Sequence, residues 1–552
     1  MTNEKPSENK SLVLTGAFLG ILSSLTLIGL LSLGDSLFGF PFVPFDIFDW
    51  MARSLPGWLI GTVISTMVAA IRFFQGFFPI GDISTTAKLA EQAIALVQLV
   101  AGGAVFGALL GWQARKPKRD LVLFGQIGGL FLLAVTLFVE ISLGSAQLSA
   151  FAAVWLALLF VGWGWGLAWL IQRFPQTEAP ASPPRLSRRQ FLAVSGAGLA
   201  AAALGAWGFG KIFGGSGLPA AANQATPQPV SSGDPFGAAL TSGPAVSPSP
   251  QDLAARPAPV NGTRPELTSN EDFYRIDINT RPPQVDESVW RLQVNGLVDN
   301  PLQMSLQDLR NMPPQTQILT MQCISNPIGG DLTSSSRWTG LRFADLLALA
   351  GVKAGAAGAY ITSTDGFYEF VTREDIQDER CLLVYEMNGE PLPSEHGFPL
   401  RVYIPNRYGM KQPKWIENIE LVAERVDGYW VDRGWDREAY VNTVSVVDTV
   451  VVDPDQGTAG MALCGGIAWA SAKGISKVEV RVDDGSWNEA ELISPPLSPL
   501  NWQLWRYAFP YSAGRHTLQV RAYDGNDELQ VIENRPTSPS GATGIHSATV
   551  NL

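Results

Sequence analysis

The run Gln317-Ile318-Leu319-Thr320-Met321-Gln322-Cys323 opens into Ser325 to Ser336, a stretch crowded with Gly and Ser. The first part has the composition and length of a strand, and the second reads as loop. Cys323 therefore stands at a strand end before a Gly-rich loop, where backbone can approach a large ligand closely. A free cysteine ordinarily packs as a small buried hydrophobe, so its neighbours decide how it is read. Around it strands and short helices mix. Val289–Val294, Leu382–Tyr385, Leu400–Ile404 and Ile416–Val422 have strand patterns. Ser305 followed by Asp308 looks like a helix N-cap, and Leu341–Ala350 fits a helix stopped by Gly351. Tyr360–Thr362 leads into a Thr-Asp-Gly turn, and an Asn388-Gly389 turn follows Tyr385. The region from 266 to 436 is expected to be an α+β domain.

The other cysteines, Cys381 and Cys464, are far apart and form no Cys-x-x-Cys pattern. Three cysteines cannot all pair, so at least one is a free thiol, an intermolecular partner or a metal ligand. The histidines are His396, His516 and His546, and none precedes residue 396. The formal net charge of -11 lies mainly in the C-terminal half and argues against nucleic acid as a partner.

Only 16% of the 552 residues are charged and 46% are hydrophobic, which points to membrane segments. Stretches at about 11–33, 56–80, 88–113, 121–143 and 149–172 each approach the roughly 20 residues a helix needs to cross a bilayer. Residues 1–180 are expected to be a multi-span region of the cell membrane. Arg115-Lys116-Pro117-Lys118-Arg119 and the cluster Arg185, Arg188, Arg189 are separated by two crossings, so both fit the cytoplasmic side. A sixth apolar run then leads outward. It begins Ser187-Arg188-Arg189-Gln190-Phe191-Leu192, which resembles a twin-arginine export signal, so 185–213 reads as a retained signal anchor. Counting back places the N-terminus outside, and the region after the anchor lies on the extracytoplasmic side. Residues 214–265, rich in Pro, Ser, Ala and Gly, read as a disordered linker.

Thr320-Met321-Gln322-Cys323-Ile324-Ser325-Asn326 resembles the cysteine loop of sulfite-oxidase-type molybdopterin oxidoreductases. Ser363-Thr364-Asp365-Gly366-Phe367 resembles their second cofactor loop. The likeness continues through Leu383 to Pro393, then His396-Gly397-Phe398-Pro399-Leu400-Arg401 and Tyr408-Gly409-Met410-Lys411-Gln412-Pro413-Lys414-Trp415. It covers roughly residues 266–552, and the motifs fall in order. The resemblance implies a molybdenum cofactor in which Cys323 supplies the one protein thiolate, a soft ligand suited to such a metal. It implies pterin contacts by Tyr274, Arg275, Asp365, His396, Arg401, Gln412, Pro413 and Lys414. Arg401 and Lys414 would supply charge for the phosphate. Taken singly, each would pass for a surface charge or a packed histidine; the order of the motifs carries the assignment.

Departures bear on substrate. The family's sulfite oxidases place arginines after the cysteine loop, where this chain has Pro327 and Ile328. Their catalytic tyrosine aligns with Trp435, so Tyr429, Arg433 and Trp435 are candidate pocket residues. Residues 437–552 alternate in short strands separated by turns and read as an immunoglobulin-like sandwich. They also resemble the family's dimerisation domain, which makes a homodimer one expected arrangement. The expected architecture is thus an α-helical membrane region, an α+β molybdopterin-binding domain and an all-β immunoglobulin-like sandwich.

The implied reaction is two-electron oxygen-atom transfer on a small oxyanion or sulfur compound, with the cofactor supplying the hard chemistry. Sulfite or a related sulfur compound is favoured, and reduction of sulfoxides or nitrate-like oxyanions is the alternative. A cofactor-free surface binding protein is the reading from another class, which metal analysis would separate. The sequence has no Cys-x-x-Cys-His haem site and no iron–sulfur cysteine set, so an external electron-transfer partner, a cytochrome or a quinone-linked subunit, is expected.

Overall fold

In lipid every backbone group must find its partner internally, and apolar runs of this length answer by coiling. The computed structural model describes residues 6–55, 66, 83–115, 120–143, 147–173, 196, 249–452 and 460–552. Among them four helices are long and apolar enough to cross a membrane: Leu12–Phe38, Thr86–Gln113, Leu121–Leu143 and Ala150–Arg173. These correspond to four of the expected stretches. The span expected at 56–80 and the anchor at 185–213 lie outside the described residues, apart from residues 66 and 196, and so does the linker from 214 to 248.

Small residues let these helices approach closely. A methyl group on Gly16 or Gly20 would overlap the carbonyl of Gly107 or Gly103, and one on Gly125 or Gly129 would overlap that of Gly164 or Phe160. A short helix, Val43–Ser54, was not foreseen. Phe42 and Val43 at its start pack with Leu27, Leu31, Leu156 and Phe160.

The sheets belong to a second unit. Its first part contains two five-stranded sheets. One is mixed: Leu292–Gly296 runs parallel to Ile416–Val422 and antiparallel to Leu302–Met304, and Gly358–Ser363 and Tyr368–Thr372 complete the other edge. The other is antiparallel. Gln315–Gln322 lies at its edge, pairs with Thr333–Arg342, and is followed by Leu382–Met387, with Glu390–Pro391 and Arg401–Tyr403 beside it. The two sheets share a core in which Leu292, Val294, Ile361, Leu383, Val402 and Ile416 are fully buried. Fully burying a Leu or Val contributes about 1.5–3 kcal/mol. Helices follow the sequence signals. Ser305 and Asp308 form a reciprocal capping box on Leu306–Arg310, and Gly351, at φ 68°, ends Phe343–Ala350.

The strand Thr333–Arg342 corrects the expectation that Ser325 to Ser336 is all loop. Its serines are buried because each finds a partner. The Ser335 hydroxyl donates to the Leu319 carbonyl at 3.2 Å, Ser336 donates to the Thr268 carbonyl at 3.0 Å, and Ser334 accepts the Tyr274 N–H at 3.1 Å.

The C-terminal part consists of two four-stranded antiparallel sheets. One is ordered Val444–Val451, Met461–Trp469, Gln503–Pro510, Glu491–Leu492. The other is ordered Asn488–Glu489, Ile475–Val482, Arg515–Asp524, His546–Asn551. Val447, Cys464, Val478, Val480, Trp505 and Leu518 form their common core.

Residues 249–265 correct the boundary of the expected disordered linker. Ser249 caps a short helix, Pro250–Ala254. Arg256 pairs with Glu266, Arg264 reaches Asp448 at 2.6 Å, and Val260 is buried against Gly465. Paired charges and an apolar anchor hold this Pro-rich chain onto the C-terminal sheets, which composition alone did not reveal.

Candidate functional site

Cys323 closes the edge strand. Its N–H donates to the Leu332 carbonyl at 3.0 Å, and its carbonyl accepts the Asn326 N–H at 3.0 Å. The Asn326 side chain ties off the loop, accepting the Leu332 N–H at 3.0 Å and donating to Thr333 Oγ1 at 2.9 Å. A side chain at Gly330 would collide with Asn326 Oδ1, so the turn needs glycine there. The Cys323 sulfur lies 3.1 Å from Ser325 Oγ, and burial pushes its thiol up. Cys381 and Cys464 sit instead in the two hydrophobic cores.

Tyr274 links the thiol to the cations. Its hydroxyl is buried beside Gly409, and its pKa is raised, first by burial and then by Cys323, with Arg401 opposing. Its neighbour Phe273 stacks on it at 5.3 Å and meets the rings of Trp338 and His396 edge-on, also at 5.3 Å. Arg401 lies over the Trp338 ring at 5.0 Å and donates to the His396 carbonyl at 3.0 Å. His396 Nε2 is 2.8 Å from the Asn270 carbonyl, and burial lowers the imidazole to about 4, so it is neutral near pH 7.

Lys414 donates to the Glu395 carbonyl at 3.1 Å and lies 3.4 Å from Asp277, which Arg275 reaches at 2.7 Å. Burial lowers Lys414 to about 8. Asp277 opposes the shift, Arg401 and Arg275 add to it, and Asp365 opposes it. Burial likewise lowers Arg401 to about 10. The structure thus brings Tyr274, Arg275, His396, Arg401 and Lys414 together, with Cys323 and Asp365 in electrostatic reach.

Gln412 is buried beside this group. Its amide donates to the Ile404 and Arg407 carbonyls, and the Pro413 carbonyl accepts the Val402 N–H at 3.0 Å. Tyr429 and Arg433 lie against the second loop: the Tyr429 ring is 5.6 Å from Phe367, and Arg433 stacks on it at 3.5 Å. Trp435 packs against a cluster of Ile324, Tyr408 and Met410.

Buried polar atoms without hydrogen-bond partners are costly. Among the described residues they include Arg401 Nε, Arg275 Nη2, Gln412 Oε1, Gln322 Oε1 and Ser363 Oγ. Arg275 and Lys414 reach Asp277 at 2.7 and 3.4 Å, and the buried Arg401 adds a third cation, so positive charge is in surplus. Surplus buried cations, free donors and free acceptors fit a phosphate-bearing heterocycle beside a thiol.

The pair Lys411–Glu369, 2.6 Å apart with Glu369 fully buried, was not expected from the sequence. Lys411 stands inside the motif Tyr408 to Trp415, but nothing in its spacing signals a partner 42 residues away.

Comparison with known proteins agrees with this geometry. The family description "Oxidoreductase molybdopterin binding domain" matches residues 279–430. The oxidoreductase YuiH of Bacillus subtilis is 34% identical over 171 residues, which are 31% of this chain and 84% of that protein. This chain belongs to the sulfite-oxidase-type family of molybdopterin oxidoreductases. Its family domain binds molybdopterin with molybdenum. Mitochondrial sulfite oxidase of Rattus norvegicus is 27% identical over 325 residues, covering 50% of this chain and 59% of that protein. The chain thus spans less than two thirds of that relative's length. A chain of Azospira oryzae named for a protein-methionine-sulfoxide reductase subunit, YedZ1, is 26% identical over 186 residues, 34% of this chain and 64% of its own length.

Proposed function

We propose that this chain is a membrane-anchored, molybdopterin-dependent oxidoreductase acting by two-electron oxygen-atom transfer on a small sulfur compound or oxyanion, with sulfite or a related sulfur compound favoured. The observation that carries the reading is a buried thiol, Cys323, and an incompletely partnered buried cation, Arg401, both within electrostatic reach of the buried Tyr274 hydroxyl. The cofactor, when bound, supplies the redox chemistry, with Cys323 as its protein ligand. Arg401, Lys414 and Arg275 would hold the phosphate. Gln412, Asp365 and the neutral His396 would hold ring donors and acceptors, and the Pro413 backbone and Tyr274 would border them. Tyr274, kept protonated by burial, offers a hydroxyl donor near the sulfur. Trp435, beside Ile324, and the Arg433–Tyr429 stack are candidate walls of the substrate pocket, so an aromatic enclosure excludes water there.

Sulfoxide reduction is the second reading. It is favoured by Pro327 and Ile328, neutral residues where sulfite oxidases carry anion-binding arginines, and by the likeness to YedZ1. We further read the C-terminal sheets as an immunoglobulin-like sandwich and the apolar helices as a multi-pass anchor. The twin-arginine-like run would place the catalytic part outside the cytoplasm, and an external cytochrome or quinone-linked subunit would exchange electrons with it. A homodimer through the C-terminal sheets is part of this reading.

Molybdenum quantification on wild type and Cys323→Ser tests the proposal. Wild type is expected to hold about one metal per chain, the ratio implied by a single ligating thiolate. The serine variant is expected to be inactive. An active serine variant, or wild type without molybdenum, sinks it. Sulfite oxidation assayed beside sulfoxide and nitrate reduction separates the two readings.

A further inference from the structure

The strand that delivers Cys323 is an edge strand, and an unpaired edge is a weak support for a ligand that must hold its position. Its free side is covered by Ser498–Trp502, a segment of the C-terminal sheet domain. Leu319 and Leu500 form a parallel bridge, and the Thr320 N–H donates to the Leu500 carbonyl at 3.1 Å. The Trp502 N–H donates to Thr320 Oγ1 at 2.9 Å, and the Ser498 hydroxyl donates to the Ile318 carbonyl. Asn501, itself buried, accepts through Oδ1 from Ser335 Oγ and, at 3.4 Å, from Thr320 Oγ1. One side-chain oxygen therefore joins the strand entering the cysteine loop to the strand leaving it. Leu500 also enters the core around Leu319, Met321 and Trp338.

The loop is held again further on. Ile328 packs against Val444, Ile467 and Trp469, and Gly329 lies against the His546 ring, whose Nδ1 accepts the Val447 N–H at 3.0 Å. The two parts also meet elsewhere, Asn406 with Ser471 and Asp436 with Ser540, but both strands and the tip of the loop that carries the thiol are each held by the C-terminal sheets.

We infer that Asn501 is a positioning residue for Cys323, and that the C-terminal domain forms the outer wall of the metal-ligand loop. This rests on the reading of Cys323 as the molybdenum ligand. Hydrogen–deuterium exchange on the full-length protein as purified, followed peptide by peptide, tests it alongside the rate of molybdenum loss on dialysis. Asn501→Ala should speed exchange across Gln315–Cys323 and Thr333–Ser336 by about tenfold, a loss comparable to one buried hydrogen bond. It should leave Gly358–Ser363 unchanged and release molybdenum faster. Val480→Ala, in the C-terminal core, should speed exchange locally without touching the cysteine strand. Should Asn501→Ala fail to fold, Thr320→Val breaks the same link from the other strand. Unchanged exchange at Gln315–Cys323 in both linkage variants, or an equal rise in Val480→Ala, overturns the inference. Wild type without molybdenum would instead refute the ligand assignment, while the exchange arms would still report the brace.

Discussion

Two buried cations lie ten residues apart, and they are treated in opposite ways. Lys411 faces Glu369 at 2.6 Å, charge against charge within the protein, although Glu369 Oε2 has no hydrogen-bond partner. Arg401 is as deeply buried, leans on the Trp338 ring, bonds one carbonyl, and leaves its Nε unused. On the proposed function, the difference would separate a cation that holds the fold from one that meets the cofactor. A balanced pair fixes the Gly409–Lys411 turn against the strand Tyr368–Thr372. An unbalanced guanidinium stores attraction that only an incoming anion satisfies.

The contrast can be broken by removing each partner in turn. Lys411→Met leaves Glu369 buried without its cation and is expected to destabilise the protein by about 3–5 kcal/mol in urea titrations, with Lys411→Met/Glu369→Gln recovering most of that. Recovery that fails to appear would mean the pair is not self-contained.

Acid should strain the Arg401 side instead. His396 is lowered to about 4 by burial, whereas an unfolded histidine titrates near 6.5. Between those values the unfolded chain takes up a proton that the folded chain refuses. Stability is full above pH 6.5 and falls as pH drops toward 4, by about 3 kcal/mol at the foot of the window. Denaturant midpoints at three pH values should show the slope in wild type and lose it in His396→Gln.

Arg401→Met sharpens the comparison directly. The cofactor-free chain should be as stable as wild type or slightly more so, while cofactor retention weakens by about 2 kcal/mol, the worth of charge-assisted hydrogen bonds. Equilibrium dialysis with molybdenum analysis reads the loss. Thr372→Ala calibrates the smallest effect. Its hydroxyl accepts the Asp375 N–H at 3.2 Å, capping Arg373–Gln377 at the end of the Glu369 strand, and removing it should lower stability by about 1 kcal/mol without altering metal content.

Much of this was legible in the residues. Unbroken apolar runs announced the four long helices, and Ile416–Val422 emerged with the boundaries its pattern suggests. Where reading stopped, a local signal was hidden by a distant partner. Thr333–Arg342 carries three serines that look like loop until Leu319, Thr268 and Tyr274 pair with them. Residues 249–265 look like spacer until Asp448 and Gly465 receive them. Cys323, His396, Arg401 and Lys414 were reachable because their motifs are local and ordered. Lys411–Glu369 and Asn501 were not, because each works across more than 40 residues of chain.

The glycine contacts between Leu12–Phe38 and Thr86–Gln113 carry a consequence for how this region tolerates change. Where backbone rests on backbone, no side chain is left to yield, so one added methyl at Gly107 acts as a wedge felt along both helices. An alanine scan along the pair should show sharp intolerance every fourth residue, at the glycines in contact, and indifference between.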